Sequence, residues 1–190
     1  MPVKIPVEVS ARHIHLSQED LEALFGKGYC LTQIRALTQS DEFAAQETVT
    51  VRFKDKEISQ VRVISPTRKQ TQLEISLTDS YNLGVPAIIR PSGDLKGTPG
   101  ILLIGPKGEV TLKEGVIIAW RHLHVSSKEA EKLGITDKKM VSVKIKGTRS
   151  LIFHNIKARI GENYQLALNL DTDEGNAAGI TGKTFGELII

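Results

Sequence analysis

The sequence predicts a mainly β protein built from two β-barrels with an internal pseudo-repeat. Three observations carry that expectation. Short runs of alternating apolar and polar residues, divided by Gly- and Pro-containing turns, fill most of the chain, a spacing that suggests a barrel or sandwich. The pattern Arg-His-x-His-x-Ser occurs twice, as Arg12-His13-Ile14-His15-Leu16-Ser17 and as Arg121-His122-Leu123-His124-Val125-Ser126. No low-complexity stretch or linker separates the halves, which favours two barrels sharing an interface over two beads on a string.

In chain order, Met1 to Val9 alternates like a strand, with no signal- or transit-peptide pattern. Ser17 can cap a short helix with Asp20 in a capping-box position; Leu21, Leu24 and Phe25 form its apolar side and Gly26 ends it. Val49 to Phe53, Val61 to Val63 and Leu73 to Leu77 alternate as strands. Gly84, Pro86, Pro91-Ser92-Gly93-Asp94, Thr98-Pro99-Gly100 and Gly105-Pro106-Lys107-Gly108 mark turns. Ser126 and Glu129 form a second capping-box pair, with Gly134 closing that helix. Strands return at 140–146, 150–156 and 165–170. The run Leu170 to Gly179 is too polar and Gly-rich for a core element and reads as a turn crossing the site, with Asn176 facing a ligand.

Composition bounds the function. Among 190 residues, 40% are hydrophobic and 25% charged, the balance of an ordinary globular chain. No apolar run is long enough for a transmembrane helix. Lys+Arg 25 against Asp+Glu 22 gives +3, too mild to argue for nucleic acid or an anionic membrane but compatible with a local phosphate site. The single cysteine, Cys30, excludes an internal disulfide framework and a four-cysteine zinc site and suits a reducing cytoplasm.

Chemistry concentrates in the histidines. In extended chain a His-x-His pair puts both imidazoles on one face about 6–7 Å apart at the backbone, close enough to converge on one ion at zinc–nitrogen distances of about 2.0–2.1 Å. One pair is a surface strand with two polar residues; two pairs in the same motif point to metal binding. Each pair needs a third ligand. Glu74 is a candidate, sharing a strand face with Gln72 and Ser76, although on the residues alone a solvated strand face is the favoured reading. Arg68, after Ser65-Pro66-Thr67, suits a bidentate phosphate contact, whereas alone it is an ordinary surface arginine. Asp171-Thr172-Asp173-Glu174 lacks the spacing of an EF-hand. Cys30 has no nucleophile signature, His154 stands outside the paired pattern, and Trp120 reads as packing. There is no P-loop, nucleophile elbow or dinucleotide fingerprint.

Taken together, these residues resemble the PduL-type phosphate propanoyltransferases. The resemblance runs in order through Val9 to Ser17, Arg68 with Thr71-Gln72-Leu73-Glu74, Arg90 with Ser92-Gly93-Asp94, Arg121 to His124, and Asp171 to Ala177. It implies a phosphotransacylase: acyl-CoA + phosphate ⇌ acyl phosphate + CoA. It implies two antiparallel β-barrels capped by short α-helices, one from 1–11 plus 119–190 and the other from 47–118, with 12–46 a helical and hairpin connection carrying the first His-x-His. It also implies two zinc ions per chain and a homodimer. By position, His13, His15 and Glu74 would hold the first ion, whose open position takes the CoA sulfur. His122 and His124 would hold the second, Arg68 would act catalytically on phosphate, and Arg90 and Asn176 would contact substrate. One position departs: where the family has a histidine two residues before Asp-Thr-Asp-Glu, this chain has Asn169. An amide oxygen is a weaker ligand that favours harder ions, so Asn169 is expected to ligate directly or through water, or Asp171 to substitute. The few residues before the first strand leave no microcompartment-targeting extension, so a cytoplasmic enzyme is expected.

The expected mechanism is direct displacement in a ternary complex, without a covalent acyl-cysteine. The alternatives are a metal-dependent thioester or phosphoester hydrolase, and a non-catalytic module with structural zinc.

Overall fold

The structure, a computed structural model, describes residues 3–189. Met1, Pro2 and Ile190, the ends of the expected 1–11 plus 119–190 barrel, lie outside the described residues. The strands are β1 Lys4–Ser10, β2 His13–His15, β3 Gln33–Ala36, β4 Phe43–Phe53, β5 Lys56–Ser65, β6 Gln72–Glu74, β7 Ile89–Arg90, β8 Leu102–Ile104, β9 Glu109–Thr111, β10 Val116–Ala119, β11 His122–Ser126, β12 Met140–Ile145, β13 Leu151–Gly161, β14 Ala167–Asp171 and β15 Thr184–Ile189. Among the described residues four short helices join them: α1 Gln18–Phe25, α2 Leu77–Leu83, α3 Ser127–Leu133 and α4 Thr172–Ala177. The chain is mainly β, as the alternating runs require.

Two compact units form. Unit 1 takes the chain up to Ala11, Thr38–Ser40 and everything from Trp120; unit 2 takes Arg12–Leu37 and Asp41–Ala119. Unit 1 is a closed barrel in the order β1-β14-β11-β13-β12-β15. Its interior is filled by the inward residues of each strand, among them Ile5, Leu123, Val143, Ile156, Ala158 and Leu168, all fully buried. Unit 2 carries a nine-stranded sheet, β7-β10-β6-β2-β5-β4-β8-β9 with β3 on β4. That sheet curls as a half-barrel rather than closing. Its core holds Ile14, Leu16, Leu24, Val51, Val61, Val63, Leu73 and Leu103.

Most strand pairs are antiparallel, but β1·β14, β11·β13, β2·β5, β10·β6 and β10·β7 are parallel. The parallel pairs arise from strands far apart in sequence, because parallel neighbours need a crossover rather than a hairpin. The duplication explains their arrangement. The order β10-β6-β2-β5 repeats as β1-β14-β11-β13, parallel, antiparallel and parallel in each case. The leading strands are exchanged: β1 of unit 1 runs on into β2 of unit 2, and β10 of unit 2 runs on into β11 of unit 1.

Serine starts two of the helices whose caps the sequence predicts. Ser17 caps α1, although its box is incomplete because the Asp20 carboxylate accepts from the Thr71 hydroxyl instead. Ser126 and Glu129 complete the box of α3, and Gly134 ends it in the left-handed region. Two stretches differ from the sequence reading. The strand expected to reach Leu77 stops at Glu74, because Ser76 and Asp79 form a capping box that starts α2. The turn expected over 170–179 contains α4, started by a box between Asp171 and Glu174. Gly175 lies against β1, where a Cβ would come within 2.7 Å of a Val9 methyl, so glycine there is a packing requirement.

Candidate functional site

Alternation on β2 sends Ile14 into the unit 2 core and turns His13 and His15 to the other face. On β6, antiparallel to it, Leu73 is the core residue, while Glu74 stands opposite His13 and Gln72 opposite His15. Directly opposed side chains across an antiparallel pair start about 4.5–5.5 Å apart, so the register itself gathers two imidazoles and a carboxylate. His13 Nε2 lies 3.6 Å from Glu74 Oε2, and the ligand atoms of His13, His15 and Glu74 all fall within 4.8 Å of one another. Among the described residues no other group of three His, Cys, Asp or Glu gathers in this way. The two rings stand edge to face, 5.1 Å between centroids.

Electrostatics prepare this cluster for a cation. Burial, with the Arg68 guanidinium and His13, pushes the His15 imidazole down to about 3, against a smaller opposing pull from Glu74. His15 is therefore neutral in ordinary buffers, the form that ligates metal. Its Nδ1 is buried without a hydrogen-bond partner. An orphaned buried lone pair beside a second imidazole and a carboxylate fits a divalent ion, and the nitrogen–oxygen donor set fits zinc chemistry.

Arg68 stands beside the cluster. Its backbone N–H donates to Leu16 O at 2.9 Å, which ties it to the end of β2. Its Nη1 donates to Ser92 Oγ at 3.0 Å and its Nη2 pairs with Glu42 at 3.6 Å. Arg90 lies on β7, its Nε 3.9 Å from Asp94 on its own loop. Cys30 is exposed.

The second pair occupies the equivalent place in unit 1. Leu123 and Val125 of β11 point into the barrel, and His122 and His124 face outward. His122 stands opposite Asn169 of β14, as His13 stands opposite Glu74. His122 Nδ1 lies 2.9 Å from Trp120 O; a carbonyl can only accept, so Nδ1 is the donor in this contact. His124 Nδ1 is 3.3 Å from Asn169 Nδ2, and its ring lies 4.4 Å from that of Tyr164. On the other flank Lys157 and Arg159 are the strand partners of His122 and His124. Asp171, the expected substitute ligand, is the N-cap of α4: its Oδ1 accepts from Glu174 N at 2.8 Å, and Asp173 is already helical. Asn176 is exposed on α4. His154 is exposed and its ring meets Ser142 Oγ at 2.8 Å.

The structure adds residues that sequence reading missed. Arg12 donates to Asp79 at 2.7 Å, and Arg121 pairs with Glu174 at 2.7 Å. Each arginine before a His-x-His thus anchors the third helical residue of a capped helix. The Ser76–Asp79 spacing, identical to Ser126–Glu129, was the available signal. Ser92, which bonds Arg68, Gln72 and Glu74, had no local signal because its partners come from other segments.

A family model described as phosphate propanoyltransferase matches residues 6–181. Similar proteins carry that name. One from Thermotoga maritima is 51% identical over 175 residues, covering 92% of this chain and 83% of its own. One from Lachnoclostridium phytofermentans is 48% identical over 178 residues, 93% and 83% of the two chains. One from Clostridioides difficile is 42% identical over 185 residues, 97% and 88% of the two. The chain is an acyltransferase enzyme. It belongs to the phosphate propanoyltransferase family. No helix among the described residues is long and apolar enough to cross a membrane.

Proposed function

We propose that this chain reversibly transfers a short acyl group between coenzyme A and inorganic phosphate by metal-assisted direct displacement. The observation that carries the proposal is the His13, His15 and Glu74 cluster, with its neutral imidazole and orphaned Nδ1, beside the Arg68 guanidinium. His13, His15 and Glu74 hold a zinc ion. When bound, that ion supplies Lewis acidity towards a thioester carbonyl and affinity for a thiolate sulfur. Arg68 binds phosphate through its planar fork, offsets the repulsion between anionic reactants and directs one phosphate oxygen at the carbonyl carbon. The carbon–oxygen bond forms, the carbon–sulfur bond breaks, and the electron pair leaves with the CoA sulfur. Cys30 takes no covalent part. Arg90 and Asn176 contact substrate.

His122 and His124 form a second cation position, completed by Asn169 directly or through water. With an amide in place of a charged ligand, it is the weaker of the two and favours a harder ion. The working protein is a homodimer in the cytoplasm, without a nucleic-acid or membrane partner.

The deciding experiment measures CoA release from acetyl-, propionyl- and butyryl-CoA on metal-analysed protein, with and without phosphate. Release that requires phosphate and runs backwards from acetyl phosphate is the expected result. Release without phosphate would make the protein a hydrolase.

A further inference from the structure

Ser92 sits on the loop after β7, in the turn where Asp94 N donates to Pro91 O at 3.0 Å and Gly93 takes φ +96°. Its hydroxyl meets three partners from two other segments. Arg68 Nη1 donates to it at 3.0 Å and Gln72 Nε2 at 2.8 Å, while Glu74 Oε1 lies 3.1 Å away. A hydroxyl has two acceptor lone pairs and one proton. Two incoming N–H groups fill the lone pairs, so the single proton must go to Glu74 Oε1.

The neighbouring amide is equally constrained. Gln72 is 1% exposed, and Gly93 N donates to its Oε1 at 2.7 Å, which fixes Nε2 towards Ser92 and Glu74 Oε1. Both donors therefore engage Oε1 of Glu74. The other oxygen, Oε2, is the one that faces His13.

We propose that Ser92 is a positioning residue that orients the metal-binding carboxylate and the phosphate-binding arginine together, with Gln72 as its buried support. This rests on the roles assigned above to Glu74 and Arg68. In this role Ser92 acts through Glu74 and Arg68. It fixes which oxygen Glu74 presents and where the Arg68 fork lies, so one hydroxyl serves both halves of the site. Outer hydrogen bonds of this kind orient ligands and tune metal affinity.

The test compares wild type with Ser92→Ala and Ser92→Cys, the latter near in shape but a poor hydrogen-bonding group. Zinc affinity is read by chelator competition, without turnover, and the KM for phosphate and for acyl-CoA are measured on zinc-saturated protein. In both variants zinc affinity falls about tenfold. The phosphate KM rises about tenfold with kcat within about threefold and the acyl-CoA KM unchanged, the pattern expected when ground-state phosphate binding is lost. Ser92→Thr, which restores the hydroxyl, recovers both. A general disturbance of the loop would raise both KM values and is not rescued by threonine. Zinc affinity and phosphate KM at wild-type levels in Ser92→Ala or Ser92→Cys would overturn the assignment. Wild type that binds no zinc through His13, His15 and Glu74, or needs no phosphate, would instead overturn the function proposed above.

Discussion

The two His-x-His strands share one pattern of neighbours and differ in what faces them. In unit 2 His13 looks across at a carboxylate, Glu74; in unit 1 His122 looks across at an amide, Asn169. The flanks differ too. Arg62, the parallel partner of His13, spends its guanidinium on the carbonyls of Ala45 and Gln46, at 3.1 and 2.7 Å. Lys157 and Arg159 flank His122 and His124. The same backbone thus presents one pair beside a carboxylate and the other beside a neutral amide with two cationic neighbours. Backbone duplication repeats the placement of the two imidazole pairs; the residue on the facing strand is where they differ.

The largest expected effect comes from exchanging that side chain. Glu74→Gln makes the first site resemble the second, and its zinc affinity should fall about 100-fold, as expected for losing a charged ligand. Asn169→Glu makes the second resemble the first, and tight zinc binding should rise to about two ions per chain by metal analysis after desalting. If Asn169→Glu leaves the stoichiometry unchanged, the facing residue is not what separates the sites.

The anchoring arginines give a second, smaller contrast. The Asp79 side chain is 2% exposed and that of Glu174 is 17% exposed, so loss of Arg12 strands a more buried carboxylate than loss of Arg121. Arg12→Ala should cost about 2–3 kcal/mol and Arg121→Ala about 1 kcal/mol. Hydrogen exchange should report the losses at α2 and α4 respectively. Equal losses would show that burial of the acid does not set the cost.

The smallest effect is on pH. Burial, first among the causes, pushes both Asp171 and Glu174 above the ordinary carboxylate range. Their folded forms take up protons before the unfolded chain does, so local stability at α4 rises as pH falls from neutral towards the unfolded carboxyl range. Glu47 in unit 2 behaves oppositely. Burial works against its ionisation, but Thr32 N–H and the Tyr29 hydroxyl outweigh that and hold it below its usual value. Its contribution is complete above the unfolded pKa and is lost as pH falls through the lower folded one. Protection measured on metal-free protein at pH 7 and pH 5 should increase at α4 and stay level at β4. Glu174→Gln should weaken the change at α4.

Much of this was readable in one dimension. The alternation of His13-Ile14-His15 and Leu73-Glu74 assigns each residue to a face before any pairing is known. Ser17 and Ser126 announce their helices because a cap is a contact over three residues. The same rule applied to Ser76–Asp79 and Asp171–Glu174 would have found α2 and α4, which a strand-like run and a Gly-rich run concealed.

What the sequence determined by itself is therefore local: strand faces, capped helices and the duplicated motif. Only the tertiary structure decided that β1 and β10 exchange units, that one sheet closes while the other stays open, and that Ser92 meets Arg68, Gln72 and Glu74. The physical reason is range. Periodicity and capping act over a few residues and leave their mark in the order of side chains. Strand exchange and a hydrogen-bond hub join segments distant in the chain, and only packing of the whole brings those segments together.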